Sequence, residues 1–151
     1  MDQGLWRDYL KLLDGLGQSM DQLAEIERKK TEAVSRSDLN AVEDYMAREQ
    51  ALSLSLRGFE QRRGAMLAKL GIPSTSLRQL EQYSPQGLEL ETRQAVEKVR
   101  RKYEEFQSAA SVARNTLECN LRAIEKLRAS QEERPAGAAP PAEPRQYDFR
   151  G

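Results

Sequence analysis

The chain has 151 residues, 38% of them hydrophobic and 6% aromatic, which is one domain's length with less apolar material than a compact globule usually carries. Its 24 basic and 24 acidic side chains cancel, so no net charge draws it to nucleic acid or an anionic membrane. With no histidine and one cysteine, Cys119, we expect no metal site, no cofactor and no internal disulfide. A protein is the expected partner.

The first helix is predicted from about residue 3 to residue 34. At 1.5 Å per residue it would be about 45 Å long, which suits a rod-like bundle. Its heptad seam consists of apolar residues with a few small or charged ones: Leu5, Tyr9, Leu12, Leu16, Ser19, Leu23, Ile26, Lys30 and Ala33. Leu13 and Met20 widen this stripe on one side.

The second helix is predicted over about residues 38–70, after the capping side chains of 35–38. Because the connection is short, it should run antiparallel to the first helix. Gly71 and Pro73 end it. Its apolar face is predicted to contain Leu39, Val42, Tyr45, Met46, Leu52, Leu56, Phe59, Met66, Leu67 and Leu70.

A connector over 71–87 leads to a third helix at about 88–130, which carries the most regular seam of the chain. The seam runs without interruption through Val96, Val99, Tyr103, Phe106, Ala110, Ala113, Leu117, Asn120, Ile124 and Leu127. A stripe this narrow needs partner helices to cover it. The sequence therefore predicts an all-α fold, an elongated antiparallel three-helix bundle or coiled coil over residues 1–133.

The composition changes after Arg134 to a proline- and alanine-rich segment, 134–151, which we expect to be disordered because it cannot bury enough apolar surface. Two aromatic residues, Tyr147 and Phe149, stand in this tail.

Two features of the seams leave alternatives open. Asn120 either fixes the helix register through a hydrogen bond across the bundle or faces a client chain. The apolar residues beside the seams either mark a protein interface or belong to a broader three-helix core; they are Leu13, Met20, Leu54, Leu90 and Leu121.

Catalytic and membrane functions are not expected. Paired acids such as Glu43 and Asp44 point about 100° apart on a helix, and no phosphate-binding glycine loop or nucleophile motif is present. No window approaches eighteen apolar residues, and the charged start MDQGLWRDYL is unlike a secretion signal. We expect a cytoplasmic protein that is not an enzyme and does not insert into a membrane.

The order of these features resembles the FlgN family, the cytoplasmic flagellar export chaperones of hook-associated proteins. The resemblance covers nearly the whole chain through many weak matches. They are Glu27, Lys30, Ala33, Asp38, Leu39, Val42, Glu49, Leu52, Leu56, Phe59-Glu60-Gln61, Arg63 and Leu70-Gly71, then Asn115, the run from Asn120 to Leu127, and Tyr147 with Gly151.

The resemblance implies that the end of the third helix holds the C-terminal amphipathic helix of a hook-filament junction protein. The client-binding residues would be Asn115, Leu117, Asn120, Leu121, Ile124 and Leu127. It also implies that the tail around Tyr147, with Phe149, docks on the export gate, and that the export ATPase complex is a further partner. The rival hypothesis is a coiled-coil scaffold that has no client and self-associates, for example as a homodimer.

Overall fold

A computed structural model describes residues 2–73 and 75–131. Within these residues the chain forms helices α1 (Gln3–Ser35), α2 (Leu39–Lys69), α3 (Leu77–Leu80) and α4 (Glu89–Gln131), with a 3₁₀ turn at Glu81–Tyr83. No strand occurs in this part of the chain, which confirms the all-α prediction there. The predicted tail 134–151 lies outside the described residues.

Local signals explain where α1 and α2 begin and where the chain turns between them. The Asp2 carboxylate accepts hydrogen bonds from the backbone N–H groups of Gly4 and Leu5, and Asp38 accepts one from Ala41. Between α1 and α2 the chain reverses through Ser37, whose φ of 58° lies in the left-handed region.

Helix α2 runs antiparallel to α1. Near one end of the pair, Arg63 Nε donates a hydrogen bond of 2.9 Å to the Tyr9 hydroxyl. Toward the other end, Lys30 Nζ lies 2.7 Å from Glu49 Oε2. The buried residues of α2 are mixed in character, because the charged Glu49 and Arg63 stand among the apolar Val42, Leu56 and Leu67.

Helix α4 runs parallel to α1. The Trp6 indole N–H donates to Thr92 Oγ1 at 2.9 Å near the start of both helices, and Asn120 Nδ2 donates to the Val34 carbonyl at 2.7 Å near the end of α1. No Cα atom of α2 lies within 8 Å of one in α4. Both α2 and α4 pack on α1, but they do not pack directly on each other. The mutual packing of all three helices in the predicted bundle is therefore not confirmed.

The core lies along α1. Its buried stripe contains Trp6, Tyr9, Leu13, Leu16, Met20, Leu23, Glu27 and Val34. The predicted seam of α1 was partly wrong, because Leu5, Leu12, Ser19, Ile26 and Lys30 are only partly buried. Leu13 and Met20, predicted to lie beside the seam, are fully buried in its centre. The connector closes one end of the core with Ile72, Leu77, Leu80 and Leu88.

Candidate protein-binding surface

Helix α4 continues beyond the end of the α1–α2 hairpin. Asn120 is level with Val34, near the end of α1, and every residue from 121 to 131 is exposed. We call residues 121–131 the α4 extension. It is about 16 Å long at 1.5 Å per residue, and nothing in the described chain covers it.

The α4 extension carries the seam residues Ile124 and Leu127, with Leu121 beside them, past the point where their intramolecular partner ends. Upstream, Val99, Phe106 and Ala113 are buried. On the extension Leu121, Ile124 and Leu127 are 38%, 47% and 59% exposed. An uncovered apolar stripe with helical spacing fits a partner that is itself an amphipathic helix.

The part of α4 just before the extension packs on the α1–α2 hairpin. Leu117 is partly buried against a small cluster formed by Ala33, Val34 and Val42. The Asn120 amide donates its hydrogen bond to the Val34 carbonyl, close to the end of α1. Of the two roles considered for Asn120, the hydrogen bond across the helices is therefore present.

The structure does not bring all the predicted site residues together. Asn115 is exposed, but it precedes Ile124 by nine residues, which places it on the opposite side of α4 at 100° per residue. Leu117, Asn120, Leu121, Ile124 and Leu127 lie along the seam side. The predicted gate-docking residues Tyr147 and Phe149 lie outside the described residues.

The residues beside the seams divide between the two alternatives. Leu13 and Met20 belong to the core, whereas Leu54, Leu90 and Leu121 are exposed. Leu39 and Met46, predicted on the core face of α2, are also exposed, so that part of the prediction was wrong. Both belong to the first turns of α2, which reach the same end of the hairpin as Asn120.

A buried charged cluster, which the seams did not predict, joins α1 to α2. Lys30 Nζ lies 3.0 Å from Glu27 Oε2 and 2.7 Å from Glu49 Oε2, and both carboxylates are buried. Burial, followed by the charge of Glu49, raises the pKa of Glu27 from its ordinary 4.5 to about 7, although Lys30 opposes this. Burial would lower the pKa of Lys30, but its hydrogen bond to Glu49 and the charges of both carboxylates raise it overall.

This cluster predicts a pH dependence of stability. The folded protein holds the Glu27 proton more tightly than the unfolded chain does, so its contribution is complete below pH 4.5 and is lost as the pH rises through about 7. We expect Glu27 to lower the free energy of unfolding by on the order of 3 kcal/mol across this window. Urea unfolding from pH 4.5 to 8 measures it. Glu27→Gln should flatten the profile, and an unchanged profile would contradict the assignment.

Residues 2–73 and 75–131 contain no group of three or more His, Cys, Asp or Glu side chains that is suited to a metal ion. Cys119 is an exposed free thiol. No helix in these ranges is both long enough and apolar enough to cross a membrane.

Long helices around a slender core, with an apolar stripe left uncovered at one end, are the features of a helical protein-binding module. The chain belongs to the FlgN family, since the family model described as FlgN protein matches residues 6–135. Membership implies a role as a flagellar export chaperone and binding of flagellar hook-associated proteins. No curated protein and no solved structure matches the chain.

Proposed function

We propose that this chain is a cytoplasmic chaperone that binds the C-terminal amphipathic helix of a hook-associated protein on the α4 extension. The observation that supports this most strongly is the uncovered stripe of Leu121, Ile124 and Leu127. By covering the client's sticky terminal helix, the chaperone prevents premature polymerisation and keeps the client ready for delivery to the export gate. Leu117 and Asn120 hold the extension in register on the hairpin.

The size of the stripe limits what it can contribute. A fully exposed Leu or Ile side chain gains about 1.5–3 kcal/mol on burial, and these three are roughly half exposed. Together they would supply about 2–4 kcal/mol, whereas association costs at least about 4 kcal/mol. The extension is therefore the anchor of the client site, and further surface must contribute to a stable complex.

Hydrogen exchange tests the location of this site. The probe is a synthetic peptide of the C-terminal helix of a hook-associated protein from the same genome. We expect the peptide to slow exchange of backbone amides in residues 117–131, because a bound helix excludes water from this exposed end of α4. Binding without protection there would contradict the proposed site. Absence of peptide binding, with a stable dimer in sedimentation, would favour the scaffold hypothesis.

The proposed docking of Tyr147 and Phe149 on the export gate gives a separate prediction. Replacing both with alanine should impair secretion of the hook-associated protein, because the docking element loses its two aromatic side chains. Affinity for the client peptide should not fall. Secretion assays and peptide titration of the same variant measure the two effects. A loss of client affinity as large as the loss of secretion would assign the aromatics to the client site instead.

A further inference from the structure

Two exposed apolar side chains stand at the start of α2. Leu39 is 72% exposed and Met46 is 42% exposed. They are seven residues apart, so they lie on the same flank of the helix, about 10 Å from each other along its axis. Neither belongs to the buried core.

Contacts of α1 show which flank of α2 faces away from α4. A Cβ atom at Gly15 would lie 3.2 Å from the Phe59 ring, so Phe59 packs closely on this side of α1. Gly17, two residues on, faces the α4 side chains Val99 and Lys102. Two residues correspond to 200° on a helix, so Gly15 and Gly17 lie on nearly opposite sides of α1. Phe59 therefore marks the flank of α2 remote from α4.

Leu39 and Met46 lie on the other flank. Met46 precedes Phe59 by thirteen residues, which at 100° per residue places it about 140° away around α2. Leu39 lies on the same flank as Met46, because the two are seven residues apart. Both side chains therefore lie on the flank of α2 turned toward α4.

Leu39 and Met46 are also level with the part of α4 just before the α4 extension. Val42, which lies between them, packs in the cluster that contains Val34 and contacts Leu117. Because α2 runs antiparallel to α1 and α4 runs parallel to it, Leu39 is the nearer of the two to the extension. On α4, Leu121 is four residues beyond Leu117 and so lies on the same side of the helix.

These two apolar flanks belong to helices that do not pack directly on each other, since no Cα atom of α2 lies within 8 Å of one in α4. We call the space between the flanks the α2–α4 notch, with Leu39 and Met46 on one wall and Leu121 and Ile124 on the other. A helix in the notch would contact both walls, just as α1 contacts both α2 and α4. The α2 wall would then supply the additional surface that the α4 extension alone lacks.

We propose that the client helix binds in the α2–α4 notch, so that Leu39 and Met46 form the second wall of the client site. This inference rests on the proposed function, because its occupant is the amphipathic helix of a hook-associated protein. The notch continues the apolar seam of α4, which is already a helix-binding surface along α1. A client helix that spans both walls lies beside the start of α2 rather than on α4 alone.

Titration of the client peptide against single variants of the full chain tests the second wall. We expect Leu39→Glu to weaken binding about 5- to 30-fold, because a charged group would be buried against the client. Leu39→Ala should weaken it less, by removing apolar contact without adding charge. Both should melt at the wild-type temperature because Leu39 is exposed. Leu54→Glu, at another exposed leucine of α2, is the matched control and should bind like the wild type.

The outcomes separate this inference from the proposed function. If Leu121→Glu weakens peptide binding and both Leu39 variants bind like the wild type, the second wall is wrong and the extension stands. If neither position affects binding, both proposals fail. If the free chain is a dimer that Leu39→Glu and Leu121→Glu convert to a monomer while peptide affinity is unchanged, the notch belongs to a second copy and the client assignment is overturned.

Discussion

Replacing Leu13 with alanine is expected to lower the free energy of unfolding by about 2–5 kcal/mol. Leu13 is fully buried in the central stripe of α1, so the change removes apolar contacts and leaves a cavity that long, packed helices cannot collapse to fill. Urea denaturation followed by circular dichroism measures the loss.

Leu54→Ala provides the matched control, because Leu54 is also a helical leucine but is largely exposed. Its effect should stay within about 0.5 kcal/mol. Equal effects at the two positions would mean that Leu13 is not a core residue and that the apolar stripe of α1 has a different phase.

Lys30→Met should cost about 3–5 kcal/mol at pH 8. Methionine keeps the length of the side chain but leaves the buried carboxylates of Glu27 and Glu49 without their shared cation. Without this cation Glu27 binds its proton still more tightly, so the loss should shrink as the pH falls toward 5 and Glu27 becomes neutral.

The double variant Lys30→Met/Glu27→Gln separates charge from packing. Removing one carboxylate along with the cation should recover part of the stability at pH 8, which urea unfolding of the three proteins would show. A loss that is the same at pH 5 and pH 8, with no recovery in the double variant, would mean that the cluster acts through packing alone.

The helical class was predictable because apolar period is a local property of the sequence. The α4 seam shows this best, since Val96, Val99, Phe106 and Ala113 are all buried. On α1 the sequence showed the helical period but not which side of the helix is buried. The buried stripe includes Glu27, which has the character of a surface residue unless its ion pair with Lys30 is known. A buried charged residue therefore makes the centre of an apolar stripe hard to locate from the sequence.

The packing of α2 against its neighbours was not predictable from spacing. Period identifies the apolar face of a helix, but it does not say which neighbour covers that face or how far the neighbour extends. Leu39 and Met46 repeat at the spacing of core residues and are nevertheless exposed. Which helices approach one another depends on three-dimensional contacts, such as that of Phe59 with Gly15. The spacing of apolar residues along the sequence does not reveal such contacts.

The exposure of Leu121, Ile124 and Leu127 did have a signal in the sequence. Helix α4 has 43 residues and α1 has 33, so two parallel helices that start level must leave about three turns of the longer one uncovered. The predicted lengths, 3–34 and 88–130, already differed by about ten residues. Comparing seam lengths therefore indicates where a heptad stripe lacks an intramolecular partner.

Leu121→Glu tests the client site most directly when its thermal melting and its titration with the client-helix peptide are measured together. Because Leu121 is partly exposed on the α4 extension, we expect the melting temperature to change little, while affinity for the peptide falls roughly 5- to 150-fold, equivalent to about 1–3 kcal/mol. Leu90→Glu, an exposed leucine near the other end of α4, should leave both quantities unchanged. A large drop in melting temperature with unchanged peptide affinity would contradict a client site on the α4 extension.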